Sequence, residues 1–410
     1  MRRLLVAVIV WMLAACQQQP TEQVLPTRMD LNAIASSTAA VATSEAVTTA
    51  AVTPPTLPPT WTPLPPASPL PTQTPLAILT STPPGFSAAG TIFFIFNGDS
   101  IAALKGDGSS EGLIAVGGAP ADLTLSPDGS LLAYAADAAG SAREVYVTNH
   151  DGTYVQKVSC LGFSRVQQPT WSWDSTMLAF FAAQTPDGPM DVYVASVAGS
   201  GNCPTDNQQR QITRLASQDL RDLTWSPNGQ WVFFSNGPVL ATNVLTGETL
   251  PPLTMPTGFG PDFALAHHPT SSELFYLKTD GDVETGRRGG TLSQMDTSEV
   301  QPQMTEIRGA ELFARSLRWG SDGQYLLIST DTDVLLLAEE AGTSVEVVTG
   351  SRFLPQPALS PDSEFVAYVD AGAENPGVPQ IWLADRRGES HIQITHHQEG
   401  AIDDLAWGPG

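Results

Sequence analysis

Three aspartates, Asp122, Asp222 and Asp404, each stand immediately before a short apolar segment: Leu123-Thr124-Leu125, Leu223-Thr224-Trp225 and Leu405-Ala406-Trp407. Gln168, Ala264, Ser316 and Gln356 precede four further segments of the same kind. If those segments are equivalent strands around one axis, Asp122, Gln168, Asp222, Ser316, Gln356 and Asp404 are the polar members of a ring at one mouth of a central channel. Arg221 and Asp403 stand beside it. Carboxylates gathered there would attract a cation or a basic peptide segment. The same groups would equally serve to cap strand ends and hold channel water. Asp280, Asp282 and Glu284 alternate in a loop and supply hard oxygen ligands of the kind Ca²⁺ takes, but the rest of a calcium loop is missing, and a solvated hairpin tip is the plainer reading. Cys160 and Cys203 are candidates for a disulfide, with two free thiols as the alternative. His267-His268 and His396-His397 are adjacent pairs, which on a strand point to opposite faces and make poor joint metal ligands. No Gly-x-Ser-x-Gly elbow, His-Glu-x-x-His helix, Gly-Lys-Ser/Thr phosphate loop or Cys-x-x-Cys pair occurs. The expectation is a chain without a cofactor and without catalytic machinery.

The elements that would position the ring are written as a repeat. Ser126-Pro127-Asp128-Gly129, Ser226-Pro227-Asn228-Gly229 and Ser360-Pro361-Asp362-Ser363 each follow one of the short segments and precede a second apolar strand. Ser172-Trp173-Asp174-Ser175, His268-Pro269-Thr270-Ser271 and Gly320-Ser321-Asp322-Gly323 are weaker copies. Their spacing of roughly 40 to 54 residues is that of four-stranded propeller blades. Within the unit, Pro presets φ and Gly accepts φ > 0, which makes the turn. A third strand follows, such as Glu144-Val145-Tyr146-Val147, then a polar turn and a last strand that often ends in Thr or Ser. Short alternating strands separated by turn signals predict an all-β fold. The chain stops after a first strand, Leu405-Ala406-Trp407, while residues 91–116 read as the other three strands of a blade. Joined, they close a seven-bladed β-propeller through a composite N/C-terminal blade, which leaves no open seam. Six blades would result if the degenerate His268 repeat forms none.

Ahead of the repeats, residues 1–15 read as an export signal. Arg2 and Arg3 precede an apolar run, Leu4 to Leu13, too short for a membrane-spanning helix, which needs about 20 residues. Residues 16–88 form a Pro/Thr/Ser/Ala-rich tether expected to be disordered and extended. The propeller is assigned to residues 89–410. The formal net charge of −23, with only 19 Lys and Arg, argues against nucleic acid as a partner, because phosphate contacts need a basic face.

Leu13-Ala14-Ala15-Cys16 resembles the bacterial lipobox, which implies lipidation of Cys16 and an extracytoplasmic chain anchored in the cell membrane or outer membrane. The Ser-Pro-Asp-Gly, strand, Tyr-Val unit resembles the WD40-like repeat of TolB-like propellers and of the propeller domains of prolyl oligopeptidase-type peptidases. That resemblance covers about residues 90–410 and implies the blade, not an activity. A Pro/Thr tether stands where TolB has an α/β domain, and no hydrolase domain follows. The expected function is a non-enzymatic module or scaffold that binds protein, peptide or glycan. A propeller enzyme acting on extracellular glycans or peptides, or a purely structural envelope component, is the alternative.

Overall fold

The computed structural model describes residues 88–114, 118–198, 209–256, 260–281, 288–298, 304–308, 314–338, 344–354 and 356–409. Residues 1–87, the export segment and all of the tether but Ala88, lie outside them; Ala88 is buried in the core cluster between blade 7 and the blade that joins the chain ends. The described residues form seven antiparallel sheets in a ring, six of four strands and one of three. The expected seven blades are present, and the His268 repeat is one of them.

Blade 1 is composite. Its innermost strand, Ile402–Gly408, pairs with Thr91–Phe96, followed outward by Ser100–Lys105 and Glu111–Ile114. Blades 2 to 7 follow in chain order, with innermost strands Ala121–Leu125, Arg165–Trp171, Arg221–Trp225, Phe263–His267, Ala314–Trp319 and Ala358–Leu359.

Adjacent residues on a strand face opposite ways, and here both faces of each sheet are covered by a neighbouring blade. In the second strand of the composite blade, Ile92 and Phe94 pack against blade 7, while Phe93 and Ile95 pack against blade 2. The seven apolar clusters of the core correspond one to one with the seven junctions between blades. This is why the strands read as nearly unbroken apolar runs.

The turn after each innermost strand is built by its own side chains. Ser126 Oγ donates to Asp128 Oδ1 at 2.6 Å and accepts from the N–H groups of Ser130 and Leu131. Ser172 with Asp174, Ser226 with Asn228 and Ser360 with Asp362 repeat the bond. A Thr or Ser two residues after the last strand, or in the matching segment of blade 4, is a second lock. Ser159, Thr213, Thr254 and Thr395 each accept an N–H from the third strand, at Val145, Val192, Val239 and Ile381, at 2.8–2.9 Å. Each donates in turn to a side-chain oxygen, of Glu144, Asp191, Asp262 and Gln380 respectively.

Blade 4 lacks a regular fourth strand. Pro251 and Pro252 have no N–H to give a ladder. The segment instead follows the third strand through the Leu250 and Leu253 N–H groups, which reach Ala241 and Val239 carbonyls at 2.9 Å.

Candidate binding channel

The innermost strands surround a central cavity of about 440 Å³. Five of the six polar ring residues line it, namely Asp122, Gln168, Asp222, Ser316 and Asp404. Gln356 belongs to the same circle through its bond to Asp404.

The backbone sets this geometry. Asp122, Gln168, Asp222, Ala264, Gln356 and Asp404 all adopt positive φ, between 41° and 57°. In the first five blades the ring residue falls in a break of the strand register, so each innermost strand bulges there. Ser316 does not share the positive φ, and its hydroxyl is bonded to Ser329 at 2.5 Å within its own blade.

The bulge turns each ring side chain toward the next blade. Asp404 Oδ2 accepts the Leu123 N–H at 3.3 Å, Asp122 Oδ2 that of Gln168 at 3.0 Å, and Gln168 Oε1 that of Asp222 at 3.2 Å. Asp222 Oδ2 accepts the Ala264 N–H at 2.8 Å, and Gln356 Oε1 accepts that of Asp404. The chain of clasps runs from blade 7 through the composite blade to blade 5. It ends at Ala264, whose methyl group accepts nothing. The capping role is therefore real, and it leaves one oxygen of each carboxylate outside these clasps.

Burial pushes the Asp222 carboxyl pKa up, against the pull of the Ala264 N–H and Arg221. Burial, and then the neighbouring Asp122, do the same to Asp404, while the Leu123 N–H and Arg318 oppose the rise.

Two residues further along each strand is a second circle: Thr124, Thr170, Thr224, Ala266, Arg318, Ala358 and Ala406, all lining the cavity. Six of these side chains are small. The seventh is a guanidinium. Arg318 reaches past blade 7 to donate from Nη1 to the Leu405 carbonyl at 3.0 Å. Water reaches it although strands encircle it. The encircling protein pushes its pKa down, and Asp404 opposes this. Sequence reasoning passed over Arg318, although its repeat column offered a signal: Thr or Ala in six copies, Arg in one.

No family model matches the chain, and no curated protein does. Solved structures do resemble it. A functionally unknown protein from Desulfotomaculum acetoxidans is 14% identical, with 77% of this chain and 99% of that one covered at TM-score 0.53. Oligogalacturonate lyase in complex with manganese is 13% identical over 70% of this chain and 82% of that one, at TM-score 0.52. TolB from Acinetobacter baumannii is 14% identical over 77% and 82%, at TM-score 0.49. At such identities the likeness is one of fold alone.

Of the other sequence candidates, His267 lines the same cavity. Asp280 lies near the tip of the strand Glu273–Gly281, while Asp282 and Glu284 fall outside the described residues. Among the described residues no three His, Cys, Asp or Glu side chains gather as a metal site. Cys160 is disulfide-bonded; Cys16 and Cys203 both lie outside the described residues.

His267 and His268 are buried. His268 does the work of the missing turn Ser: Nδ1 accepts from the Thr270 and Ser271 N–H groups, and Nε2 donates to the Gly323 carbonyl of blade 6. His397 pairs with Glu111 at 3.1 Å, which joins the connection after blade 7 to the outermost strand of the composite blade.

Proposed function

We propose that the chain is a non-enzymatic binding module, lipid-anchored through Cys16 on an extracytoplasmic membrane face, that receives a basic peptide segment at the channel mouth. One comparison within the ring carries this reading. Gln168 and Gln356 make the inter-blade clasp with a neutral amide oxygen. The clasp therefore needs an acceptor, not a charge. Asp122, Asp222 and Asp404 supply charge in addition, and at Asp222 and Asp404 burial works against keeping it. A cationic guest recovers that cost, and the chain's net charge of −23 draws such a guest in. The tether and the Leu13-Ala14-Ala15-Cys16 sequence support the anchored setting.

The test follows from the same comparison. Asp122→Asn with Asp404→Asn retains both acceptors and removes two charges. Titration calorimetry of the full chain with a Lys-rich peptide should show affinity about tenfold weaker in the double variant, with a shallower dependence on salt. Equal affinity overturns the reading. In cells, fatty-acid labelling should be lost in Cys16→Ser; labelling that persists removes the anchor.

A further inference from the structure

The lone guanidinium of the second circle fits none of the structural roles around it. Among the described residues it makes one hydrogen bond, to the Leu405 carbonyl, although a guanidinium carries five donors. No carboxylate lies within 4 Å of it among the ion pairs of the described residues. Asp404 acts on it through space without touching it. Its remaining donors have the cavity in front of them, with the hydroxyl groups of Thr124 and Thr224 in the same circle; that of Thr170 donates to the Gln168 carbonyl at 3.3 Å. Thr224 Oγ1 accepts the His267 N–H at 3.2 Å, a bond that does not use the hydroxyl proton. A planar guanidinium fork facing the cavity matches a carboxylate.

A bare anion suits this place poorly, because three carboxylates stand one circle above. Two strand residues separate the circles, about 7 Å. A lysine side chain spans a similar distance from its own backbone. We infer that the channel binds the C-terminus of a peptide ending in Lys or Arg. Its terminal carboxylate lies on Arg318, and its side-chain cation lies among Asp122, Asp222 and Asp404. This rests on the basic-peptide reading above and adds to it the chain end and the residue that holds it.

The experiment compares N-acetyl-Gly-Gly-Lys as free acid and as C-terminal amide, by titration calorimetry with the full chain, wild type, Arg318→Met and Arg318→Lys. In the wild type the acid should bind at least tenfold more tightly than the amide. Arg318→Met should abolish that preference, bringing the acid and the amide to equal affinity. Arg318→Lys, which keeps the charge and loses the fork, should retain part of it. Equal affinities for acid and amide in the wild type overturn the inference without any variant, and so guard against a misfolded Arg318→Met. They leave the basic-peptide reading standing, since that is judged separately by the amide's response to Asp122→Asn with Asp404→Asn. A preference for the acid that survives in Arg318→Met also overturns it, because the carboxylate would then be held elsewhere.

Discussion

At the scale of single residues, His267 shows how a departure from the repeat is accommodated. Its column holds Leu125, Trp171, Trp225, Trp319, Leu359 and Trp407 in the other blades. An imidazole at this apolar position is only 1% exposed. Nδ1 lies 3.0 Å from the His268 carbonyl and Nε2 3.0 Å from the Thr297 hydroxyl. A neutral ring that donates from Nδ1 satisfies the His268 carbonyl, while the Thr297 hydroxyl donates its own proton to the Ser272 carbonyl at 2.7 Å. Burial pushes its pKa down from 6.5 to about 4. The unfolded chain therefore takes up this proton first as the pH falls. Stability contributed by neutral His267 is complete above about pH 6.5 and declines down to about pH 4, by about 3 kcal/mol in all. Urea denaturation of His267→Leu between pH 7 and pH 4 should show a loss smaller than the wild type's by about that amount. Parallel curves for the two proteins would mean that the wild-type ring is already charged or solvated.

At the scale of elements, the Ser-Pro-Asp-Gly turn was the most readable feature, because its side chains and its backbone demand coincide in four residues. Ser126 and Asp128 bond each other, and Gly129 takes φ +70°. The same local logic made the Thr beyond the last strands and the composite blade visible in advance. The ring positions were readable as a repeat column, but their clasping role was not. It depends on positive φ at non-glycine residues and on an N–H one blade away, neither of which has a local sequence signal. Gly129 carries an added constraint from distant chain. A Cβ there would lie 2.3 Å from Pro409 Cδ, whereas one at Gly229, φ +66°, meets nothing within 4 Å. Gly229→Ala should therefore cost about 1 kcal/mol of backbone strain alone. Gly129→Ala should cost at least about 1 kcal/mol more, because Pro409 must move. Equal costs in chemical denaturation would show that the chain end does not rest on this turn.

At the scale of the whole molecule, stability is shared around a circle of junctions, and one of those junctions is formed by chain ends about 300 residues apart in sequence. Ile402, Leu405 and Trp407 are all at most 6% exposed in the cluster between blade 7 and the composite blade. The Trp407 indole N–H donates to the Ala89 carbonyl at 3.0 Å, and Asp404 clasps Leu123 of blade 2. Removing residues 401–410 deletes all of these together. It also uncovers the Thr91–Phe96 strand along its length, and an open, apolar edge pairs with other chains. Losing a buried Trp side chain alone costs about 3–5 kcal/mol, a large part of a typical domain's net stability of about 5–15 kcal/mol. The truncated chain should therefore lose its cooperative thermal transition and run as oligomers in size-exclusion chromatography with light scattering. A co-expressed peptide of residues 399–410 should restore the elution and mass of the intact chain by re-pairing with that edge. A truncated chain that keeps the intact chain's association state and melting temperature would show that the remaining six sheets hold the ring without its closure.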